Sequence, residues 1–180
     1  MIRRLLDGCY LASGVLGALS MILLALVVLA QVVGRLMQVQ LRGTDDFTAW
    51  LMAAGACLPL AYAFRYGTHI RVSLLLERLT GAPRRRLEIF CLVVAAATAG
   101  LFAYAALDLV YGSWRFNEMA AGLVPIPLWI PQVAMALGAV LLLVAVVDDL
   151  VQLLSGRRTS YQQVSSENTR GALERAIEEM

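Results

Sequence analysis

Lysine is absent from this chain, histidine occurs once, and the three cysteines stand apart from one another. The single His69 cannot supply the paired axial ligands of a membrane cytochrome, and it has no second ligand nearby to hold a metal. Cys9, Cys57 and Cys91 each sit beside apolar runs without a C-x-x-C spacing, which argues against a thiol–disulfide carrier, a zinc site or a disulfide framework. Charge of either sign is scarce. Only 16% of the 180 residues are charged and 60% are apolar, against about 25% and about 45–50% in a soluble domain. A formal net charge of +2 gives no basis for nucleic acid as a partner. With a mean hydropathy of +0.73, what remains is a small integral membrane protein.

What the sequence does contain is long runs without a charge. Gly8–Gly34, Phe47–Phe64, Ile89–Leu107 and Met119–Val147 hold no Asp, Glu or Arg. A bilayer core of about 30 Å takes roughly 20 helical residues, so each run can cross it. The first exceeds that need and is expected to tilt or to continue into the interface. Pro125, Pro127 and Pro131 crowd the start of the fourth. Proline starts helices better than it continues them, so the regular helix is placed from Trp129, with Gly122–Pro127 as an extended lead-in. The expected fold is all-α and integral to the membrane. Its spans lie at about 11–34, 47–64, 89–107 and 129–147 in a domain of residues 1–154, followed by a polar, disordered tail over 155–180. Met1-Ile2-Arg3-Arg4 resembles the start of a signal peptide. The apolar run after it is too long, and no small-x-small site closes it, so an uncleaved first helix is expected.

Arginine placement gives an orientation. Arg3, Arg4, Arg65, Arg71, Arg78, Arg84, Arg85, Arg86, Arg157 and Arg158 fall on one side, against Arg35, Arg42 and Arg115 on the other. Both termini are therefore expected in the cytoplasm, with Trp50, Trp114 and Trp129 anchoring the outer boundary. Between the second and third spans, Val72, Leu75, Leu76 and Leu79 recur at i, i+3, i+4 and i+7. That spacing predicts a short amphipathic helix on the cytoplasmic surface, ended by Thr80-Gly81-Ala82-Pro83. Arg84, Arg85 and Arg86 follow at the mouth of the third span. They read as an anchor to anionic lipid headgroups, or as a docking surface for a partner subunit.

Chemistry is thin. A secondary transporter needs polar or ionisable groups near the midplane, and the runs offer few: Ser13, Ser20, Gln31, Thr48, Tyr62, Thr98, Tyr104 and Gln132. No G-x-S-x-G, H-E-x-x-H or working pair of carboxylates points to an enzyme, and no cofactor is implied. Asp45-Asp46 follow Thr44 at the start of the second span and read as a helix cap. Asp148-Asp149 either mark the membrane exit or meet arginines such as Arg84–Arg86. The helices do offer packing surface. Ala49, Ala53, Cys57 and Ala61 repeat every four residues, as do Ala95, Ala99 and Ala103, with Ala134 and Gly138 on the last helix. Small-xxx-small spacing lets helix backbones approach closely, which favours a compact bundle built to bind other helices.

Three stretches resemble a known family. Asp45-Asp46-Phe47-Thr48-Ala49-Trp50 leads to Gly55-Ala56; Arg65-Tyr66-Gly67-Thr68-His69-Ile70-Arg71-Val72 leads to Leu74-Leu75; and Pro125-Ile126-Pro127-Leu128-Trp129-Ile130-Pro131 opens the last span. Together, in this order, they resemble the small four-helix membrane subunit of tripartite ATP-independent periplasmic (TRAP) transporters. Members usually carry Glu where Asp46 stands and commonly Asp where Ser73 stands; Asp46 keeps the charge and Ser73 removes one. The resemblance implies two protein partners, a large membrane subunit that holds the substrate and sodium sites and a periplasmic substrate-binding protein, with membrane lipids around them. It implies a non-catalytic role, bracing the large subunit of a sodium-coupled importer of organic acids in the bacterial inner membrane. Asp46, Gly55, Gly67, His69, Arg71, Pro127, Trp129 and Pro131 are then candidates for the subunit interface or for structural motifs, and Arg84, Arg85 and Arg86 for headgroup contact. The alternative is an independent small transporter or channel working as a homo-oligomer, which requires a polar lining shared between copies.

Overall fold

The computed structural model describes residues 2–39, 43–65, 82–120 and 125–155. Helix α1 (Ile2–Leu36) is followed by α2 (Thr44–Cys57), α3 (Pro59–Arg65), α4 (Ala82–Arg115) and α5 (Trp129–Leu154). Four stretches of these helices are long and apolar enough to cross a membrane: Leu6–Leu36, Thr44–Arg65, Arg85–Arg115 and Trp129–Leu154. At 1.5 Å per residue, α1 with 35 residues and α4 with 34 reach about 50 Å, well beyond a bilayer core. The expected surface helix over Val72–Leu79, with Gly67, His69 and Arg71, lies outside the described residues, as do the tail from 156 onward and the side chain of Arg84.

The ends of α1 and α4 stop in the same way. Gln38 and Asn117 adopt left-handed φ of 60° and 49°. In α1 the Val39 N–H then reaches the Gly34 carbonyl and the Gln38 N–H the Arg35 carbonyl; in α4 Glu118 reaches Ser113 and Asn117 reaches Trp114. This double closure satisfies carbonyls that a helix terminus would leave bare. Helix α5 starts at Trp129 for a different reason. Pro131 falls in its first turn, where an N–H has no intrahelical acceptor in any case.

The second span is one helix with a break. Leu58, between α2 and α3, keeps right-handed helical φ and ψ, and its N–H still reaches the Ala54 carbonyl. Pro59 has no N–H to give to Gly55, so the ladder loses a rung and the regular helix is interrupted there.

The helices form an open row and not the compact bundle that the small-residue spacing favours. Helix α1 packs on α2 and α3, these pack on α5, and α5 packs on α4; the two long outer helices have no substantial contact with each other. The buried stripe of α1 is correspondingly narrow. Tyr10, Ser13, Gly17, Ser20, Leu24, Val27, Gln31 and Gly34 alternate steps of three and four, the 3.5-residue period of a two-helix seam. Small residues do make the seams. Ala103 and Ala106 of α4 close against Ala136 and Ala139 of α5, and Ala61 of α3 against Ala145 of α5 and Tyr10 of α1. Ala49, the first of the expected stripe on α2, is exposed.

Candidate functional site

No group of three or more His, Cys, Asp and Glu suited to a metal occurs among the described residues. The site to describe is therefore the framework that fixes the row, and it has three parts.

The first is the break in the second span. A Cβ added at Gly138 of α5 would sit 2.5 Å from the Cys57 carbonyl oxygen and 2.9 Å from the Leu58 nitrogen. Both are backbone atoms that no rotamer can move aside. On the opposite side, a Cβ at Gly17 of α1 would meet Pro59 Cδ at 2.6 Å, and one at Gly14 would meet Tyr62 Cγ at 2.8 Å. Gly55 of α2 has Met21 Cε at 3.1 Å from the same construction. The break is thus wedged between two helices, each of which presents glycine where the backbone at Cys57–Leu58 and the Pro59 ring come close.

The second part lies at the end of α3. Arg65 Nη1 donates to Asp148 Oδ2 and Nη2 to Asp7 Oδ1, both at 3.1 Å, so one guanidinium ties α1 and α5 to the end of the second span. Gln152 Nε2 adds a 2.7 Å bond to the same Asp148 oxygen. The Tyr10 ring lies 5.8 Å from the guanidinium carbon, and its buried hydroxyl has no hydrogen-bond partner among the described residues. The Asp148 arm is the stronger: its carboxylate is 26% exposed against 50% for Asp7, and exposed pairs are screened by solvent. Asp148 therefore pairs with Arg65. Neither reading drawn from the sequence, a bare membrane exit or a contact with Arg84–Arg86, named that partner. Arg85 and Arg86 are exposed.

The third part closes the other end. Gln31 Nε2 of α1 donates to Thr44 Oγ1 at 2.7 Å, with Asp45 Oδ1 and Thr48 Oγ1 at 3.3 Å. Asp45 and Asp46 occupy the first turn of α2, where the positive helix end favours carboxylates. The N-cap itself is Gly43 at φ 86°, and no side chain caps the helix. The expected cap at Asp46 is corrected accordingly: Gly43 supplies the left-handed turn that a capping side chain would otherwise fix. Between α4 and α5, the Ala120 N–H donates to the Ile126 carbonyl and Leu128 N–H to that of Glu118, bridging Met119 and Pro127. Pro127 takes the position in this bridge that needs no N–H.

Most hydroxyls in the spans are already committed. Ser13, Ser20, Thr48 and Thr98 each donate to a carbonyl three or four residues back on their own helix. Such bonds satisfy the side chain locally and leave no donor aimed at a solute.

The sequence readings named Gly55, Pro127, Trp129 and Pro131, all at helix seams or starts in the structure. They passed over Arg65 as a partner for Asp148, and over Asp7, Gly14, Gly17 and Pro59. One visible signal was Pro59 itself, since a proline in mid-span requires something to accommodate its ring.

Residues 24–156 match the family described as tripartite ATP-independent periplasmic transporters, DctQ component. The chain belongs to this family. It is a TRAP transporter small permease subunit, a multi-pass membrane protein of a tripartite system that also has a large membrane component and a periplasmic binding component. The family is one of transporter components and not of enzymes. No curated protein matches the chain. Within this DctQ component the family match takes in the interrupted second span, Arg65, Gly138 and Asp148, while Asp7, Gly14 and Gly17 precede it.

Proposed function

We propose that this subunit is a non-catalytic brace for the large membrane component of a sodium-coupled importer of organic acids. The observation that carries the reading is the wedge at Leu58–Pro59. A helix break held by glycine-to-backbone contact on one side and by proline packing on the other gives a row of helices with little internal play. A component that moves solute across the bilayer needs a part of itself held still, and a stiff row of lipid-anchored helices enlarges that part. The committed hydroxyls fit a subunit that carries no solute of its own. Arginine placement puts both termini in the cytoplasm of a bacterial inner membrane, with the Arg65 cluster inside and the Gln31–Thr44 contact outside. In that orientation Asp46, Pro127, Trp129 and Pro131 lie toward the periplasm, where the binding protein delivers its solute. Arg84, Arg85 and Arg86 lie at the inner headgroups.

The test is reconstitution. The large component is placed in liposomes with binding protein, a sodium gradient and a panel of organic acids, with and without this chain. Uptake is expected only when both membrane components are present. Full-rate uptake by the large component alone would overturn the bracing role, and uptake independent of sodium would overturn the coupling.

A further inference from the structure

The row has two edges, and they differ chemically. The outward face of α1 is aliphatic through the membrane: Val15, Leu19, Ile22, Leu26 and Leu29 are each more than half exposed. Such a face is satisfied by lipid tails. The outward face of α4 carries Phe90, Val94, Ala97, Leu101, Tyr104, Asp108 and Tyr111, spaced four and three alternately and all exposed. Tyr104 and Leu101 are both 70% exposed, among the most open positions of the helix.

Asp108 is the anomaly on that stripe. Ala106 packs with Ala136, which places Ser113 and Trp114 of α4 level with Trp129, the first residue of α5. Tryptophans at matching heights on neighbouring helices mark the membrane interface. Asp108 lies six residues inward of Trp114, about 9 Å along the axis. It is exposed, and its carboxylate makes no ion pair or hydrogen bond among the described residues. An aspartate at that depth is costly against lipid and is kept where another protein group meets it.

We propose that the α4 edge, centred on Asp108, is where the large membrane component of the transporter docks, through a cation or hydrogen-bond donor on one of its helices. The α1 edge faces lipid. The inference rests on the membership of this chain in a tripartite transporter, and it adds which edge is used and by what chemistry.

The test uses the whole transporter in its own membrane. A photo-crosslinking residue is placed singly at Leu101 or Tyr104 on α4, and at Val15, Ile22 or Leu29 on α1. The α4 positions are expected to form adducts with the large component and the α1 positions with lipid alone. Adducts of the large component from α1 and none from α4 overturn the proposal. So do lipid adducts from both edges, and so do α4 adducts to a second copy of this chain. In parallel, Asp108→Leu should lower the co-purified large component by about tenfold, as expected for a desolvated charge partner, with Asp108→Asn in between. The melting temperature of the isolated chain should stay unchanged, because Asp108 is exposed and makes no ion pair or hydrogen bond among the described residues. A co-purified yield as high in Asp108→Leu as in the unsubstituted chain overturns the role of the carboxylate. If the unsubstituted chain brings down no large membrane component, membership in an assembly fails first, and that outcome is distinct from use of the wrong edge.

Discussion

Helices α1 and α5 are nearly the same by hydropathy, 2.6 against 2.5 over their most apolar windows, yet 6% of one window is buried and 28% of the other. One lines an edge of the row and the other sits in the middle. The difference lies in where their small residues fall. Helix α5 has Ala136, Gly138, Ala139 and Ala145 turned toward neighbours on two sides, whereas α1 has Gly14 and Gly17 toward one. In lipid, apolar surface gains nothing by turning inward, because tails are as apolar as leucine. Hydropathy admits a helix to the bilayer; the chance for two backbones to touch decides its place there.

The comparison can be broken most severely at Gly138. Gly138→Val puts side-chain carbons into the Cys57–Leu58 backbone and should cost about 3 kcal/mol or more, read as a large drop in melting temperature in detergent or as failed assembly. Next comes Arg65→Gln, which strips the ion pairs from both neighbours at once. A loss of about 1–3 kcal/mol is expected, discounted from the fully buried case because the partners are 26% and 50% exposed. Asp7→Asn should cost less than Asp148→Asn, and a double-mutant cycle on each pair measures the split. Gly17→Ala is expected to cost only about 1 kcal/mol: the clash is with the Pro59 ring, and an edge helix can slide outward to relieve it. At the small end stand Gly8→Ala, with nothing within 4 Å of the added carbon, and Ile22→Ala on the lipid face; both should stay within about 0.5 kcal/mol. If Gly17→Ala proves as damaging as Gly138→Val, α1 is no edge helix in the assembled membrane.

The four spans are legible in the sequence because Gly8–Gly34, Phe47–Phe64, Ile89–Leu107 and Met119–Val147 hold no Asp, Glu or Arg and each overlaps one membrane-length helix, although α4 carries Asp108 beyond its charge-free run. Their arrangement is not. Alanine at every fourth residue fits a bundle and a row equally well, and only the absence of any substantial contact between α1 and α4 separates them. Asp148 lies 83 residues from Arg65, and between them stand nearer arginines that charge alone makes equally good partners. At Asp46 the local rule placed the cap on a side chain, and Gly43 displaced it by supplying a conformation from outside the helix. Pro59 is plain to see, but its meaning depends on Gly17 and Gly138 facing it from helices far apart in the chain. Family membership was legible because it rests on local stretches, which need no knowledge of packing.

The double ion pair of Arg65 bears on how the chain enters the bilayer during synthesis. Helix α1 and the second span are consecutive and pack on each other, as are α4 and α5, so the protein can insert as two hairpins that then meet. Asp7 emerges long before Arg65, whereas Asp148 emerges long after. The guanidinium therefore finds a counter-ion waiting as the first hairpin closes, and it is spared the cost of facing lipid alone until the second hairpin arrives. The Asp148 carboxylate then adds its own ion pair when the two halves join.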